Sequence, residues 1–219
     1  METLKNLNKP RAILFSVLAL LTIQVFWVFE RNNLNDAETM KRFMTMALVL
    51  IPHGILGMVA LVTGPFQFST TLRKRNLRLH RRLGKVYITA VLLSAPLALF
   101  IAIFHPIPGA NGTFLLEGIM QALVWGFTAG MAWVAIRRRN LLIHKIWAAR
   151  SYGVTLIFVL SRVYDPAPLL KDNPDINDFG HFLWFLMVLA LILPDILIFN
   201  KELFGKGKRT AELRPAADS

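Results

Sequence analysis

Six long apolar stretches, separated by polar connections, dominate the sequence. They span residues 12–29, 43–68, 86–107, 113–136, 146–163 and 181–199. A helix needs about 20 apolar residues to cross a bilayer, whereas a membrane-barrel strand has about 10 residues and alternates polar with apolar positions. Backbone groups in hydrocarbon must form hydrogen bonds within their own segment, which favours helices. The pattern predicts an all-α integral membrane helical bundle with six transmembrane helices in residues 1–200, followed by a polar tail in 201–219.

The composition agrees with a membrane protein and excludes other classes. Hydrophobic residues make up 55% of the 219 residues, charged residues make up 17%, and there is no cysteine. The chain is too apolar to be intrinsically disordered, and without cysteine it cannot be a disulfide-stapled secreted scaffold. The formal net charge of +12 does not indicate a nucleic-acid partner, because little soluble surface remains to present a basic face. The partner that the composition predicts is the lipid bilayer.

The basic residues predict how the helices are oriented. Twenty Lys and Arg residues lie in the N-terminal segment, in the connections after the second and fourth stretches or within five residues of their ends, and in the C-terminal tail, whereas four lie in the other connections. Lys and Arg accumulate on the cytoplasmic side of membrane proteins. We therefore expect a multi-pass protein with both termini in the cytoplasm. The basic clusters are also suited to anionic lipid headgroups.

Two of the basic connections share one sequence pattern. Residues 73–81 and 137–145 both read basic-basic-Arg-Asn-Leu-x-aliphatic-His-basic, so that His80 corresponds to His144. The same shift along the chain, without a gap, aligns residues 53–56 (His-Gly-Ile-Leu) with residues 117–120 (Glu-Gly-Ile-Met). Two matches under one shift indicate an internal duplication.

A parallel duplication of a helical hairpin explains both matches. It predicts a core of four helices, built from hairpins at about 43–107 and 113–163, with the first and sixth helices packed outside it. The alternative is that the two turns resemble each other because the orientation of the helices favours Lys and Arg in both of them.

His80 and His144 are the strongest candidates for a cofactor site. The repeat predicts them at equal depth, at the cytoplasmic mouths of two parallel helices, where facing imidazoles can ligate the iron of a b-type haem. Arg81 and Arg139 are suited to the haem propionates, because guanidinium pairs with carboxylate in a bidentate way. The alternative is that each histidine is an ordinary residue of an amphipathic turn. A zinc site is not expected, since there is no cysteine and no four-ligand cluster is visible.

Four further polar residues are expected within the helical core. His53 and Glu117 occupy matching places in the repeat, and a contact between them is either a proton-handling pair or a hydrogen bond that fixes helix register. Arg150 and Asp195 lie near the cytoplasmic ends of the fifth and sixth stretches, so we expect an ion pair between antiparallel neighbours. Ionisable groups are costly within a bilayer, which makes each of the four a functional candidate.

Four motifs combine histidine, glycine, arginine and aromatic residues in the helical core. They are His53-x-x-x-Gly57, Gly64-Pro65-Phe66-Gln67-Phe68, Leu79-His80-Arg81-Arg82-Leu83-Gly84-Lys85-Val86-Tyr87 and His144-x-x-Trp147-x-x-Arg150-Ser151-Tyr152. Together, over about residues 43–165, they resemble a family of bacterial membrane proteins known only as a domain of unknown function. The resemblance implies a multi-spanning protein of the bacterial inner membrane and no particular activity.

A weaker similarity is to two-haem transmembrane b-type cytochromes, whose four central helices carry paired histidines. The position that repeats His53 is Glu117 rather than a histidine. This similarity therefore implies at most one haem, and only at His80 and His144.

Three classes of function remain open. The first is a haem-containing electron carrier that exchanges electrons with a quinone or a membrane redox partner. The second is a small transporter or proton-coupled permease that uses His53 and Glu117. The third is a non-catalytic membrane scaffold or a subunit of a complex. The sequence has no phosphate-binding loop, dinucleotide-binding glycine pattern, zinc-protease motif or nucleophile elbow, and it leaves open whether the protein is an enzyme.

Overall fold

A computed structural model of the chain describes residues 37–106, 112–164 and 176–204. The first apolar stretch, residues 12–29, and the tail beyond residue 204 lie outside these ranges. The described part contains six helices: α1 Ala37–Gln67, α2 Thr70–Arg75, α3 Leu77–Phe104, α4 Gly112–Arg137, α5 Leu141–Tyr164 and α6 Ile176–Phe204. Every element of secondary structure in these ranges is a helix, which confirms the predicted all-α fold class.

Three of the helices are long and apolar enough to cross a membrane. They are α1 from Met40 onward, α3 and α4, and α6 contains a shorter apolar segment, Gly180–Ile196. The five apolar stretches predicted within the described ranges correspond to α1, α3, α4, α5 and α6. The sixth helix of the described set, α2, is a short helix in a connection that the hydrophobic pattern does not predict.

The helices pack in chain order around a core rich in small side chains. α1 lies along α3, α3 along α4, α4 along α5 and α5 along α6, and α6 also contacts α4. Ala60, Ala129 and Ala132 are at most 1% exposed, and small residues let helix backbones approach closely in membranes. Large apolar side chains cover the outside, with Leu48 93% exposed and Ile55 60% exposed. Water would disfavour that surface, whereas lipid tails accept it.

The two basic connections lie at one end of the bundle, which we call the basic end (residues 68–85 and 137–145). Asparagine begins the following helix in both cases. The Asn76 side chain accepts from the Leu79 N–H at 2.9 Å, and the Asn140 side chain accepts from the Ile143 N–H at 3.1 Å. Asparagine is a favoured N-cap because its side-chain oxygen satisfies a free backbone N–H of the first turn. α3 and α5 therefore begin in the same way, at matching positions of the repeated pattern.

The second connection is a tight turn that depends on the backbone of Arg139. The Arg139 N–H donates to the Ile136 carbonyl and the Asn140 N–H donates to the Ala135 carbonyl, each at 3.0 Å. This pair of hydrogen bonds is the Schellman arrangement, which requires a left-handed residue after the helix. Arg139 supplies it with φ of 59°. The position has a structural role in ending α4 that is independent of its charge.

The first connection is longer than the second. It runs from residue 68 to residue 76, between α1 and α3, whereas the second covers only residues 138–140 between α4 and α5. The extra length forms α2, which Ser69 caps by accepting from the Leu72 N–H. The gapless shift therefore relates α3 to α5 but does not relate the end of α1 to the end of α4. A duplicated four-helix core stays a proposal.

Candidate ligand-binding cavity at the basic end

A cavity of about 590 Å³ lies inside the basic end of the bundle. All six described helices contribute to its wall, because α1, α2, α3 and α5 meet there and parts of α4 and α6 close the sides. Ligand sites in proteins typically enclose about 300–1,000 Å³. The cavity is therefore large enough for a cofactor or a small amphipathic ligand.

His80 and His144 both line this cavity, from α3 and α5 respectively. The Nδ1 atom of His144 lies 2.9 Å from the Ala132 carbonyl oxygen. A carbonyl can only accept, so Nδ1 carries the proton and donates it to this bond, which leaves Nε2 as an acceptor or metal ligand. The hydrogen bond also fixes the ring of His144 in one orientation.

His80 lies near the start of α3, before the apolar stretch that begins at Val86. Its Nδ1 is buried and has no hydrogen-bond partner among the described residues. Arg73, His144 and Arg81 are close enough to interact electrostatically with its ring. A ring nitrogen of His80 without a protein partner is available to an occupant of the cavity, and a neutral imidazole can ligate a metal.

The basic side chains on the cavity wall are Arg73 from α2 and Lys145 from α5. Arg81 and Arg139, the two residues suggested by the sequence, are exposed and are not among the residues that line the cavity. Sequence reasoning missed Arg73 and Lys145 because many residues of the basic connections carry a similar charge. The position of α2 distinguishes Arg73, and the position of the first turns of α5 distinguishes Lys145.

Gln67 is a second polar residue on the wall with a buried, unsatisfied atom. Its Nε2 has no hydrogen-bond partner among the described residues. An unpaired buried donor costs about 1–3 kcal/mol, and so an occupant that accepts a hydrogen bond from Gln67 would be stabilised. The Gly-Pro-Phe-Gln-Phe motif of the family resemblance contains this glutamine, but spacing alone gives no reason to single it out.

The far side of the cavity is apolar and opens toward the outside of the bundle. It is formed by aliphatic side chains of α5 and α6, namely Leu156, Leu160, Leu186, Leu189, Leu193 and Pro194. Leu160, Leu189 and Leu193 are 40%, 39% and 47% exposed, so they contact the surroundings of the bundle as well as the cavity. The cavity thus combines a basic end with an apolar side that faces the membrane.

Tyr87, on the cavity wall, belongs to a fully buried hydrogen-bond network. Its hydroxyl lies 2.9 Å from Ser151 Oγ and 3.1 Å from Thr155 Oγ1, and Trp125 Nε1 donates to Thr155 Oγ1 at 2.9 Å. Thr155 uses its own hydrogen to donate to the Ser151 carbonyl. The Tyr87 hydroxyl therefore donates to Thr155 and accepts from Ser151. Every hydroxyl in the network is satisfied, and the network joins α3, α4 and α5 beside the cavity.

The Tyr87→Phe substitution is expected to destabilise the bundle by about 1–3 kcal/mol, because it leaves the buried Ser151 hydroxyl without its acceptor and removes one donor from Thr155. The free energy of unfolding in detergent, followed by circular dichroism, measures the loss. Tyr152→Phe is the matched control, since the Tyr152 hydroxyl makes a longer bond of 3.4 Å to the Leu61 carbonyl. Equal losses for the two variants would contradict a special role for the Tyr87 network.

His53 and Glu117 are not brought together by a hydrogen bond. His53 Nδ1 lies 2.9 Å from Ser94 Oγ, and its ring packs edge-on against Trp125 at 6.4 Å between centroids. Glu117 precedes Trp125 by two turns of α4, about 12 Å along the helix axis. Glu117 is 1% exposed, and its Oε1 has no hydrogen-bond partner within the described ranges. The gapless shift assigns His53 and Glu117 to matching places because it does not allow for α2, which makes the first connection longer than the second.

Arg150 and Asp195 form an ion pair between α5 and α6. The Arg150 Nε donates to Asp195 Oδ1 at 3.2 Å, and a second guanidinium N–H donates to Oδ2. The guanidinium also lies over the Trp147 ring, 4.7 Å from its centroid. Because both side chains are partly exposed, the pair contributes mainly to the orientation of α6 rather than to stability.

Comparison with known proteins identifies a family model described as "Predicted membrane protein (DUF2306)", which matches residues 50–198. The match covers more than half of the chain and includes every residue that lines the cavity. No curated protein and no solved structure matches the chain.

Proposed function

The chain belongs to the DUF2306 family of predicted membrane proteins, and we propose that it is an electron carrier that binds one b-type haem between His80 and His144. The observation that carries the proposal is that two histidines from different helices line a single cavity of suitable size. A b-type haem has two axial positions, and imidazole is a common axial ligand of haem iron. The residues present fit these requirements.

His144 has the environment expected of an axial ligand. Metal-ligating histidines almost always donate their second ring N–H to a carbonyl or carboxylate, which fixes the ring and makes the ligating nitrogen more basic. The bond from His144 Nδ1 to the Ala132 carbonyl meets this condition. His80 has no such acceptor among the described residues, so we infer that His144 is the more firmly held ligand of the two.

The charges around the cavity suit the acidic side of a haem. Arg73 and Lys145 lie on the wall and would pair with the propionates, as cations pair with carboxylates. Arg81 and Arg139 are exposed at the same end, and contact between them and the propionates stays a prediction. The aliphatic side chains of α5 and α6 would pack against the apolar part of the macrocycle.

When bound, the haem would supply reversible transfer of one electron. His80 and His144 would hold the iron, the aliphatic wall would exclude water, and two cationic side chains would favour the reduced form. Since Leu160, Leu189 and Leu193 are partly exposed on the outside of the bundle, a lipid-soluble partner such as a quinol could approach this side of the site.

We also infer that α3 and α5 belong to duplicated hairpins and that the basic end faces the cytoplasm of a bacterium. The N-caps at Asn76 and Asn140 support the duplication. Tyr87 and Ser151 also support the duplication, because the same shift relates the two residues and their hydroxyl groups are in contact. Equivalent residues of two repeats meet in this way when they lie beside a twofold axis. The excess of Lys and Arg at the basic end supports the orientation.

Absorption spectroscopy of the purified protein tests the proposed function. Protein from cells with ample haem is expected to show a Soret band and a reducible α band, with one haem per chain. Reduction by a quinol as well as by dithionite would support the electron-carrier role. A colourless protein would overturn the proposal and leave the permease and scaffold classes. The permease class depends on His53 and Glu117, which have separate environments.

A further inference from the structure

A second, shallower pocket lies on the outside of the basic end, where α2 meets α3. It encloses about 500 Å³ and is lined by Arg75, Asn76, Leu77, Arg78, Leu79 and Arg82. All six residues are exposed. The pocket therefore brings three guanidinium groups and two leucine side chains to one small area of surface, separate from the cavity that contains His80 and His144.

The three guanidinium groups have no acidic partner among the described residues. Between Glu38 and Asp165 the sequence contains one acidic residue, Glu117, and its side chain is buried in α4. Within the described ranges, the ion pair present is the one between Arg150 and Asp195. The cations of this pocket repel each other, so an anion bound between them would be stabilised. Arg pairs with phosphate in the same bidentate way as with carboxylate.

The two exposed leucines indicate that the bound anion also carries an apolar group. Leu77 and Leu79 are 46% and 40% exposed, beside arginines that require water or phosphate. Apolar and cationic side chains are exposed together at the level of a bilayer where headgroups meet acyl chains. A molecule that satisfies both groups has a phosphate at one end and a hydrocarbon chain at the other.

From this combination we propose that the pocket formed by Arg75, Arg78 and Arg82 binds the headgroup of an anionic phospholipid. The phosphate pairs with the guanidinium groups, and the upper part of an acyl chain lies against Leu77 and Leu79. An anionic lipid is preferred to a zwitterionic one because no acidic side chain lines the pocket to pair with a choline group.

The pocket is a product of the longer first connection. The second connection consists of residues 138–140, and nothing in it corresponds to α2. Arg137, Arg138 and Arg139 carry the same charge at the same end of the bundle, but none of them lines this pocket. The two basic connections therefore give a matched comparison between charge alone and charge held in a defined pocket.

Native mass spectrometry of the full chain, released from nanodiscs that contain equal amounts of phosphatidylglycerol and phosphatidylcholine, tests the proposal. The unmodified protein is expected to retain phosphatidylglycerol in preference to phosphatidylcholine. The triple variant R75Q/R78Q/R82Q is expected to retain at least tenfold less. The triple variant R137Q/R138Q/R139Q removes the same charge elsewhere and is expected to retain as much as the unmodified protein.

Three results would overturn the proposal. They are equal retention of the two lipids, equal loss in the two triple variants, and displacement of phosphatidylglycerol by millimolar inorganic phosphate, which would indicate a site for the free anion. The single variant Arg82→Gln, expected to lose part of the retained lipid, keeps the test decisive should the first triple variant fold poorly. The lipid-retention measurement does not depend on haem content, so its outcome is independent of the proposed electron-carrier function.

Discussion

The His144→Ala variant is expected to lose its haem completely and to show no Soret band after purification. Alanine removes Nε2, the proposed ligand atom, and the bond to the Ala132 carbonyl that holds the ring. Of the two proposed ligands, His144 is the one whose ring is fixed by a hydrogen bond, so its loss is expected to have the larger effect. The His80→Ala variant is expected to bind haem weakly, with five-coordinate spectra, because His144 remains in place. Absorption spectra and haem content per chain measure both effects.

Two controls separate ligation from general damage to the fold. His53→Ala removes a histidine whose partners are Ser94 and Trp125 and which does not line the cavity, and it is expected to keep its haem. His80→Met replaces one of the two proposed nitrogen ligands by a thioether, and the substitution is expected to raise the reduction potential of the haem. Equal haem loss in the His53 and His144 variants, or an unchanged potential in His80→Met, would count against the proposed ligands.

The Gly153→Ala variant is expected to destabilise the bundle by about 1–3 kcal/mol, the usual cost of overpacking. A Cβ at Gly153 would lie 2.8 Å from the Ala190 carbonyl oxygen and 3.2 Å from the Ala190 Cα. These are backbone atoms, so rotation of a side chain cannot relieve the contact, and α6 must move away from α5. The free energy of unfolding in detergent is the quantity to measure.

Gly130→Ala is the matched control for this prediction. Nothing lies within 4 Å of a Cβ built at Gly130, and alanine is more favourable than glycine in a helix by about 1 kcal/mol. We therefore expect Gly130→Ala to be neutral or stabilising. A Gly153→Ala variant as stable as Gly130→Ala would show that α5 and α6 do not pack as closely as the structure describes.

The hydrophobic pattern was sufficient to predict the helical class and most of the helices. Apolar stretches and the need for internal backbone hydrogen bonds lead to α1, α3, α4, α5 and α6 without further information. The pattern could not predict α2, because Thr70–Arg75 is too short and too polar to give a periodic signal. Its formation depends on the Ser69 cap and on the way α1 ends.

The candidate site could be predicted only in part, for a geometric reason. His80 and His144 follow equivalent N-caps, so counting residues from Asn76 and Asn140 predicts that they share a depth, and both line one cavity. The pairing of His53 with Glu117 depends on a shift that α2 interrupts. Which basic residues reach the cavity depends on how α2 and α5 are placed in space, and no sequence spacing contains that information.

The weaker similarity to b-type cytochromes finds no support in the comparisons with known proteins. The haem proposal depends instead on the geometry of the cavity and on the hydrogen bond of His144. The ion pair between Arg150 and Asp195 is present, as expected for two residues at similar depth on antiparallel neighbours.

The contribution of α6 to the cavity wall links occupancy of the site to the amount of folded protein. Ala190 and Pro194 line the cavity while the same helix is held against α5 at Gly153. A molecule that binds only when α6 is docked stabilises the docked state, by about 2.7 kcal/mol at a hundred times its dissociation constant. In a cell, where proteases remove chains with a detached helix, the supply of the bound molecule would then regulate how much of this protein accumulates.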